Sequence, residues 1–221
     1  IDSGLQMMGG YGFIEEYTMA RLYRDCRIDR IWEGTNEINR QIITGYIMKK
    51  ALMEELPIQS AIREIEQYMN NGKLETDSEI LLAESNVVET SKRLALYLLN
   101  EGICEFGQDL KHQQQITDIL ANIFIDIYVA ESTVLRAKKM LGNPTSPPSV
   151  EGVAKIFVAE MAQRMVQLAE TALKGIYNGD LSPLMHESLN AFRSRMYLPT
   201  NTIGLKREIA AYAYSKTSYP Y

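Results

Sequence analysis

Apolar residues recur along almost the whole chain at the three- and four-residue spacing of amphipathic helices, and alternating apolar and polar runs are scarce. The segment 150–177 has the clearest apolar face. That face consists of Val153, Ile156, Phe157, Met161, Met165, Leu168, Ala172 and Ile176. The pattern predicts an all-α protein whose helices form a bundle.

Glycine and proline clusters separate the periodic segments and predict where the helices end. After a helical turn at the start that runs into the glycines at 9–12, the predicted helices cover about 17–28, 35–56, 58–69, 76–100, 110–141, 149–177, 183–196 and 202–214. Three local signals mark helix starts: a capping box formed by Thr76 and Glu79, Ser149 as an N-cap, and Ser182 as an N-cap followed by Pro183.

The pattern also predicts two parts, divided near Pro57. Residues 1–55 form a short helical piece, and residues 56–221 contain enough long amphipathic helices for a bundle of their own. We expect the second part to fold as one cooperative unit. We expect residues 1–33 to be partly exposed or held by a neighbouring chain.

Composition narrows the function classes. The chain has 221 residues, 46% of them hydrophobic, and a net charge of −5, which together argue against a disordered chain and against a protein that binds duplex DNA. Two cysteines and two histidines supply neither a zinc site nor a disulfide framework, so a reducing compartment is favoured. Because the chain opens on Ile1 in the middle of a helical pattern, we expect it to be a piece of a longer polypeptide.

Candidate chemistry concentrates in residues 6–40. Gly34 and Thr35 stand just before a predicted helix start, where backbone N–H groups favour phosphate or another anion. Glu33 follows Trp32, and a carboxylate packed beside an indole is desolvated and becomes a better base near neutral pH. The residues alone leave two interpretations of Glu33: a catalytic base, or an ordinary acidic residue near a helix N-terminus.

Three stretches of this segment together form a specific pattern. They are, in chain order, Gln6-x-x-Gly9-Gly10-x-Gly12, Arg24-Asp25, and Ile31-Trp32-Glu33-Gly34-Thr35-Asn36-Glu37-Ile38. In order and spacing they resemble the C-terminal signature of acyl-CoA dehydrogenases. The resemblance covers about the first 50 residues. The remainder resembles, by length, position and helical pattern, the C-terminal helical extension of the very-long-chain subgroup.

The resemblance implies an FAD-dependent enzyme that introduces a double bond between Cα and Cβ of a fatty acyl-CoA in β-oxidation. Glu33 matches the catalytic base that removes the α-proton, and Gly34 matches a residue that lines the acyl-CoA site. Positions that contact FAD are matched by Thr35 and Glu37, and by Gln6, Gly9 and Gly10 in a turn that touches the FAD of a neighbouring subunit. The intact enzyme is therefore expected to be a homo-oligomer. Arg24 and Asp25 are expected to form a structural ion pair that is at least half-buried.

The same resemblance implies electron-transfer flavoprotein as a partner, in the cytoplasm of a bacterium or the mitochondrion of a eukaryote. The family's N-terminal helical domain and β-domain have no counterpart in these 221 residues, so we interpret the chain as an inactive C-terminal fragment that holds no FAD by itself. Two alternatives stay open: a helical module for dimer assembly or partner docking, and an unrelated helical adaptor.

A membrane-surface role for the helix near 150–177 is also considered. Such a helix carries a concentration of Lys and Arg on its polar face. Here acidic residues balance the basic ones, the two sets being Lys155, Arg164 and Lys174 against Glu151, Glu160 and Glu170. The pattern therefore favours packing in the core over membrane association.

Overall fold

The computed structural model describes residues 1–71 and 79–216, and every regular element in those ranges is helical. The all-α prediction is confirmed. The helices are α1 (Asp2–Met7), α2 (Gly10–Phe13), α3 (Thr18–Ile28), α4 (Asn36–Leu52), α5 (Ile58–Asn71), α6 (Leu82–Phe106), α7 (Gln114–Leu141), α8 (Val150–Ile176), α9 (Pro183–Arg195) and α10 (Thr202–Tyr214). A 3₁₀ helix, Gly107–His112, joins α6 to α7.

Three long helices, α6, α7 and α8, pack against one another and form the centre of the core. Their inner faces supply most of the largest side chains that are completely buried, among them Leu94, Leu98, Leu99, Leu120, Ile123, Met161, Met165 and Leu173. Each buried leucine contributes roughly 1.5–3 kcal/mol relative to an exposed one. The remaining helices pack around this centre, with α4 on α7, α5 on α6, α9 on α8 and α6, and α10 on α8.

Helix α8 belongs to this core along most of its length. Of the predicted apolar face, Val153 is 40% exposed, while the other members are buried or half-buried. Its charged side chains form ion pairs, with Lys155 bound to Glu151 at 2.6 Å and Arg164 bound to Asp126 of α7 at 3.1 Å. Within residues 1–71 and 79–216, no helix combines the length and the apolar character needed to span a bilayer.

Two of the predicted helix starts depend on local caps that the structure contains. The Ser182 hydroxyl accepts a hydrogen bond from the backbone N–H of Met185, with Pro183 in the first turn of α9. Asn201 caps α10 through the N–H of Gly204 at 3.0 Å. The starts of α9 and α10 are therefore confirmed.

Other boundaries differ from the prediction. Ser149 precedes α8, but its backbone is already helical (φ −82°, ψ −6°) and its side chain does not cap the helix, because a capping serine needs extended backbone. Of the predicted capping box, Thr76 lies outside the described residues, and α6 begins at Leu82, preceded by Leu81 in a left-handed conformation. Helix α6 continues to Phe106, where Gly107 with φ +54° ends it.

Residues 1–33 are mostly exposed. Helices α1, α2 and α3 contact one another, and only Gly12 and Ala20 of this segment are buried. Helix α4 ends at Leu52 rather than near 56, and it packs on α7, so it connects the first predicted part to the second. The division at residue 55 stays a prediction.

Candidate functional site

The loop between α3 and α4 holds Glu33 in an uncommon backbone conformation. Glu33 has φ +51° and Gly34 has φ +91°, so two successive residues are in the left-handed region. This conformation costs a non-glycine residue about 1–2 kcal/mol. The loop is closed by a hydrogen bond from the Asn36 N–H to the Arg30 carbonyl at 3.2 Å.

Gly34 suits its position for a second reason besides its φ angle. A Cβ atom on residue 34 would lie 2.8 Å from Oδ1 of Asn39, closer than real Cβ contacts come. The Asn39 side chain is this close because its Nδ2 donates a hydrogen bond to the Gly34 carbonyl at 2.9 Å. Glycine at position 34 therefore permits both the turn and the approach of Asn39.

The start of α4 is fixed by Thr35 and Glu37. The Thr35 hydroxyl accepts from the Ile38 N–H at 3.3 Å, which makes Thr35 the N-cap and agrees with the helix start predicted near this residue. The pKa of the exposed Glu37 carboxyl is lowered, first by a hydrogen bond from its own backbone N–H and then by one from Thr35. The first N–H groups of α4 are bonded to Arg30, Glu37 and Thr35, so an anion at this helix start would have to displace these partners.

The indole of Trp32 does not shield Glu33. Trp32 is 57% exposed, and its Nε1 donates to Asp29 at 3.0 Å. Glu33 itself is exposed. The expectation that Trp32 desolvates Glu33 is therefore wrong for this chain.

The second group of predicted residues lies in the turn between α1 and α2. The Gly9 N–H donates to the Gln6 carbonyl at 3.1 Å, and Gly9 has φ +57°. A Cβ on Gly9 or Gly10 would meet no heavy atom within 4 Å, so the backbone of this turn is open to solvent. Gly12, by contrast, is packed, since a Cβ there would lie 2.5 Å from the Leu5 carbonyl oxygen.

The structure thus places the predicted site residues in two groups, which are exposed except for the half-buried Gly34 and Thr35. Glu33, Gly34, Thr35 and Glu37 lie together at the start of α4, and Gln6, Gly9 and Gly10 lie in the α1–α2 turn. Asn39 belongs to the first group and was missed by sequence reasoning. A hydrogen bond from a helical side chain to a carbonyl five residues earlier depends on the turn geometry, and no local sequence signal predicts it.

The predicted Arg24–Asp25 ion pair is also wrong for this chain. Arg24 binds Glu15 at 3.3 Å, with side chains that are 76% and 83% exposed, and Asp25 is exposed. Such a solvent-exposed pair contributes about 0–1 kcal/mol. In the part of the chain that the structure describes, no three His, Cys, Asp or Glu side chains are grouped as metal ligands.

In comparisons with known proteins, two separate parts of the chain match the same protein family. Residues 1–48 and residues 89–190 each match a family model described as the acyl-CoA dehydrogenase C-terminal domain. A probable acyl-CoA dehydrogenase of Bacillus subtilis strain 168 is 34% identical over 222 residues, which cover 99% of this chain and 37% of that protein. Subunit CarC of the caffeyl-CoA reductase-Etf complex of Acetobacterium woodii is 48% identical over 46 residues, which cover 21% of this chain and 12% of that protein.

A solved structure gives the same result. The chain superposes on an acyl-CoA dehydrogenase from Bacillus anthracis, crystallised in complex with FAD, with a TM-score of 0.86 and 30% identity. The match covers 97% of this chain and 36% of the other. The chain therefore spans less than two fifths of the length of the Bacillus subtilis protein and of the Bacillus anthracis protein.

Proposed function

We propose that this chain, which carries acyl-CoA dehydrogenase C-terminal-domain sequence at residues 1–48 and 89–190, is part of a longer FAD-dependent acyl-CoA dehydrogenase with Glu33 as its catalytic base. The observation that carries the proposal is the Glu33–Gly34 turn. It presents an exposed carboxylate at the start of a helix that is anchored on the bundle, within a segment that matches the family model. A base in this position is accessible to a substrate.

The proposed roles of Glu33 and Gly34 follow from their chemistry. Glu33 takes the α-proton of the acyl thioester on a carboxylate oxygen, and its backbone N–H donates to the thioester carbonyl, which makes that proton more acidic. Gly34 leaves room for the thioester because it has no side chain. FAD, when bound, accepts the β-hydrogen as hydride.

The open turn at Gln6, Gly9 and Gly10 fits a role in holding FAD, because no side chain prevents a ligand from reaching its backbone. Thr35 and Glu37 are hydrogen-bonded to each other, so they would contact FAD through their remaining oxygen lone pairs. The proposal includes a contact between this turn and the flavin of a neighbouring subunit. Such a contact requires the longer protein to be a homo-oligomer.

Exposed apolar side chains support the existence of further covering structure. Met7 is 84% exposed, Phe13 77% and Ile42 61%, all within the first 56 residues. Clusters of exposed apolar groups usually mark interfaces. We assign this surface to contacts with the remainder of the longer protein or with another subunit.

The finer assignment is to the very-long-chain subgroup, acting on fatty acyl-CoA in β-oxidation with electron-transfer flavoprotein as the electron acceptor. It is supported by the extent of the matches. The Bacillus subtilis relative matches the whole chain, helices after residue 56 included, whereas the Acetobacterium subunit, from an Etf complex, matches 46 residues. We propose the cytoplasm of a bacterium or the mitochondrion of a eukaryote, and the free thiols of Cys26 and Cys104 accord with a reducing compartment.

The proposal is tested by replacing the base in the longer protein. Glu33→Gln keeps the size of the side chain and removes the proton acceptor, so flavin content should be unchanged while flavin reduction by acyl-CoA slows by about 10²–10⁴-fold. Glu54→Gln is the matched control, because Glu54 is also an exposed glutamate with positive φ (+55°), at the other end of α4. A Glu33→Gln rate within about twofold of wild type would place the base elsewhere.

The isolated 221-residue chain should not retain FAD, because most of the matched residues are exposed, Gly34 and Thr35 are only half-buried, and neither group encloses a ligand. Purification of the chain with added FAD, followed by gel filtration, should give a colourless protein. A yellow protein with one FAD per chain would contradict this part of the proposal.

A second candidate function, assembly of subunits, is favoured by one observation. Helix α7 carries a stripe of exposed apolar side chains on its outer face, formed by Ile125, Tyr128, Val129 and Leu135. Sedimentation of the chain without ligand separates the two functions. Self-association that Leu135→Lys abolishes would support assembly, and a monomer at all concentrations would exclude it for this chain.

A further inference from the structure

We infer that Asn39 is a positioning residue for the proposed reaction, which holds the Glu33–Gly34 turn in the conformation in which Glu33 acts as base. The inference rests on the proposed function of Glu33. Its structural basis is the hydrogen bond from Asn39 Nδ2 to the Gly34 carbonyl at 2.9 Å, together with the 2.8 Å approach of Asn39 Oδ1 to the position of a Cβ on residue 34.

The turn needs such a restraint because of its backbone conformation. Left-handed φ angles are disfavoured for a non-glycine residue such as Glu33, and they persist when the surroundings hold them. Burial does not supply the restraint, since residues 29–33 are exposed. The Gly34 carbonyl belongs to the peptide bond directly after the two left-handed residues. A hydrogen bond to this carbonyl therefore restrains the turn itself.

Two other hydrogen bonds near the turn join groups other than the Gly34 carbonyl. The bond from the Asn36 N–H to Arg30 closes the base of the loop, and the Thr35 hydroxyl binds the first turn of the helix. Asn39 differs from both because its side chain extends from the helix back to the turn. We therefore expect Asn39 to affect the orientation of Glu33 rather than the stability of α4.

Asn39 belongs to a helix that packs on the bundle. It lies in the first turns of α4, and its backbone N–H donates to the Thr35 carbonyl at 2.9 Å. Further along the same helix, the completely buried Thr44 is bonded to α7. Helix α4 is thus fixed on α7, and the hydrogen bond from Asn39 links the Glu33–Gly34 turn to that helix.

The test uses the longer holoenzyme with three variants. Asn39→Leu has similar size and no amide donor, and Asn39→Gln keeps the amide on a longer arm. Gln41→Leu is the matched control, because Gln41 is also an amide on α4 but binds Gln114 and Thr117 of α7 instead of the turn. The measurements are the rate constant of flavin reduction at saturating acyl-CoA, the dissociation constant of acyl-CoA, flavin content and thermal stability.

We expect Asn39→Leu to lower the rate constant of flavin reduction about tenfold or more, because misplacement of a catalytic group by about 1 Å can cost up to about 10²-fold. Flavin content and the dissociation constant should stay within about twofold of wild type. Asn39→Gln should recover at least part of the rate. Gln41→Leu should lower thermal stability and leave the rate unchanged.

A second measurement is independent of activity and of flavin. In the isotope-labelled 221-residue chain, the Cα chemical shift of Glu33 reports its backbone conformation. Asn39→Leu should shift it away from the left-handed value, while Asn39→Gln and Gln41→Leu should not. This measurement decides the matter if Asn39→Leu holoenzyme fails to retain flavin.

The outcomes separate the two proposals. If Glu33→Gln is fully active, the proposed function of Glu33 fails whatever Asn39 does. If Glu33→Gln is inactive but Asn39→Leu reduces flavin at the wild-type rate, or keeps the wild-type Glu33 shift, the positioning role is overturned. The same holds if Asn39→Leu and Gln41→Leu lose rate in proportion to their loss of thermal stability, since Asn39 would then act through stability alone.

Discussion

The hydroxyl of Thr44 donates a hydrogen bond to the carbonyl of Thr117 at 2.8 Å, and both residues are buried between α4 and α7. Gln41 extends this contact, accepting from the Thr117 hydroxyl at 2.6 Å and donating to the Gln114 carbonyl at 3.1 Å. Arg40, one helical turn before Thr44, donates to Asn122 at 2.8 Å. These bonds join α4 to α7 through a largely polar seam.

Thr44→Val is predicted to weaken this seam. Valine keeps the shape of threonine and removes the hydroxyl, so the chain should lose about 0.5–1.5 kcal/mol of unfolding free energy. The control is Thr133→Val, because the Thr133 hydroxyl binds the Val129 carbonyl of its own helix at 2.7 Å and contributes nothing to the α4–α7 contact. Urea unfolding of both variants measures the difference, and equal stability of the two would show that the Thr44 bond does not hold α4 in place.

Hydrogen exchange should divide the chain into zones of different stability. We predict strong protection across α6, α7 and α8, whose inner faces are completely buried, and rapid exchange across residues 1–33, where only Gly12 and Ala20 are buried. Helix α4 should be protected because it packs on α7. Equal protection in residues 1–33 and in α6–α8 would mean that the first segment finds a stable partner, most simply in a dimer.

Alkaline pH should destabilise the bundle through Tyr97. Burial, assisted by the Glu101 carboxylate, raises the pKa of Tyr97 from 10.0 to about 12. A raised pKa means that the folded state holds the phenol proton more tightly than the unfolded state. The stabilisation is therefore complete below pH 10 and is lost as the pH rises toward about 12.

Unfolding free energies measured at several pH values between 9 and about 12 test this prediction. Tyr97→Phe removes the titrating hydroxyl and should make the decline shallower. Tyr128→Phe, which removes an exposed hydroxyl on α7, should leave the decline as it is in wild type. Tyr177 also has a raised pKa, through burial and its hydrogen bond to Glu101, so part of the decline should persist in Tyr97→Phe. An unaltered slope would show that Tyr97 titrates alike in both states.

The amino-acid sequence by itself determined the features that depend on neighbouring residues. Helical periodicity predicted the all-α fold, and the starts of α9 and α10 agree with the structure. Ser182 shows why: its cap reaches three residues along the chain, and Pro183 suits the first helical position. The Glu33 segment was likewise noted from its residues, since the glycine and the helix start adjoin it directly, but the residues alone left two interpretations of Glu33.

Tertiary structure decided which distant groups meet. Ser149 has the right side chain for a cap, yet its backbone is helical where it enters the core, so the cap does not form. Arg24 binds Glu15 instead of using Asp25, and Trp32 binds Asp29 instead of covering Glu33, because exposed side chains take whichever partner the local backbone brings within reach. The seam between Thr44 and Thr117 joins residues 73 positions apart. No periodicity or cap encodes such a pairing, because it depends on how the packed apolar faces of two helices align their polar groups.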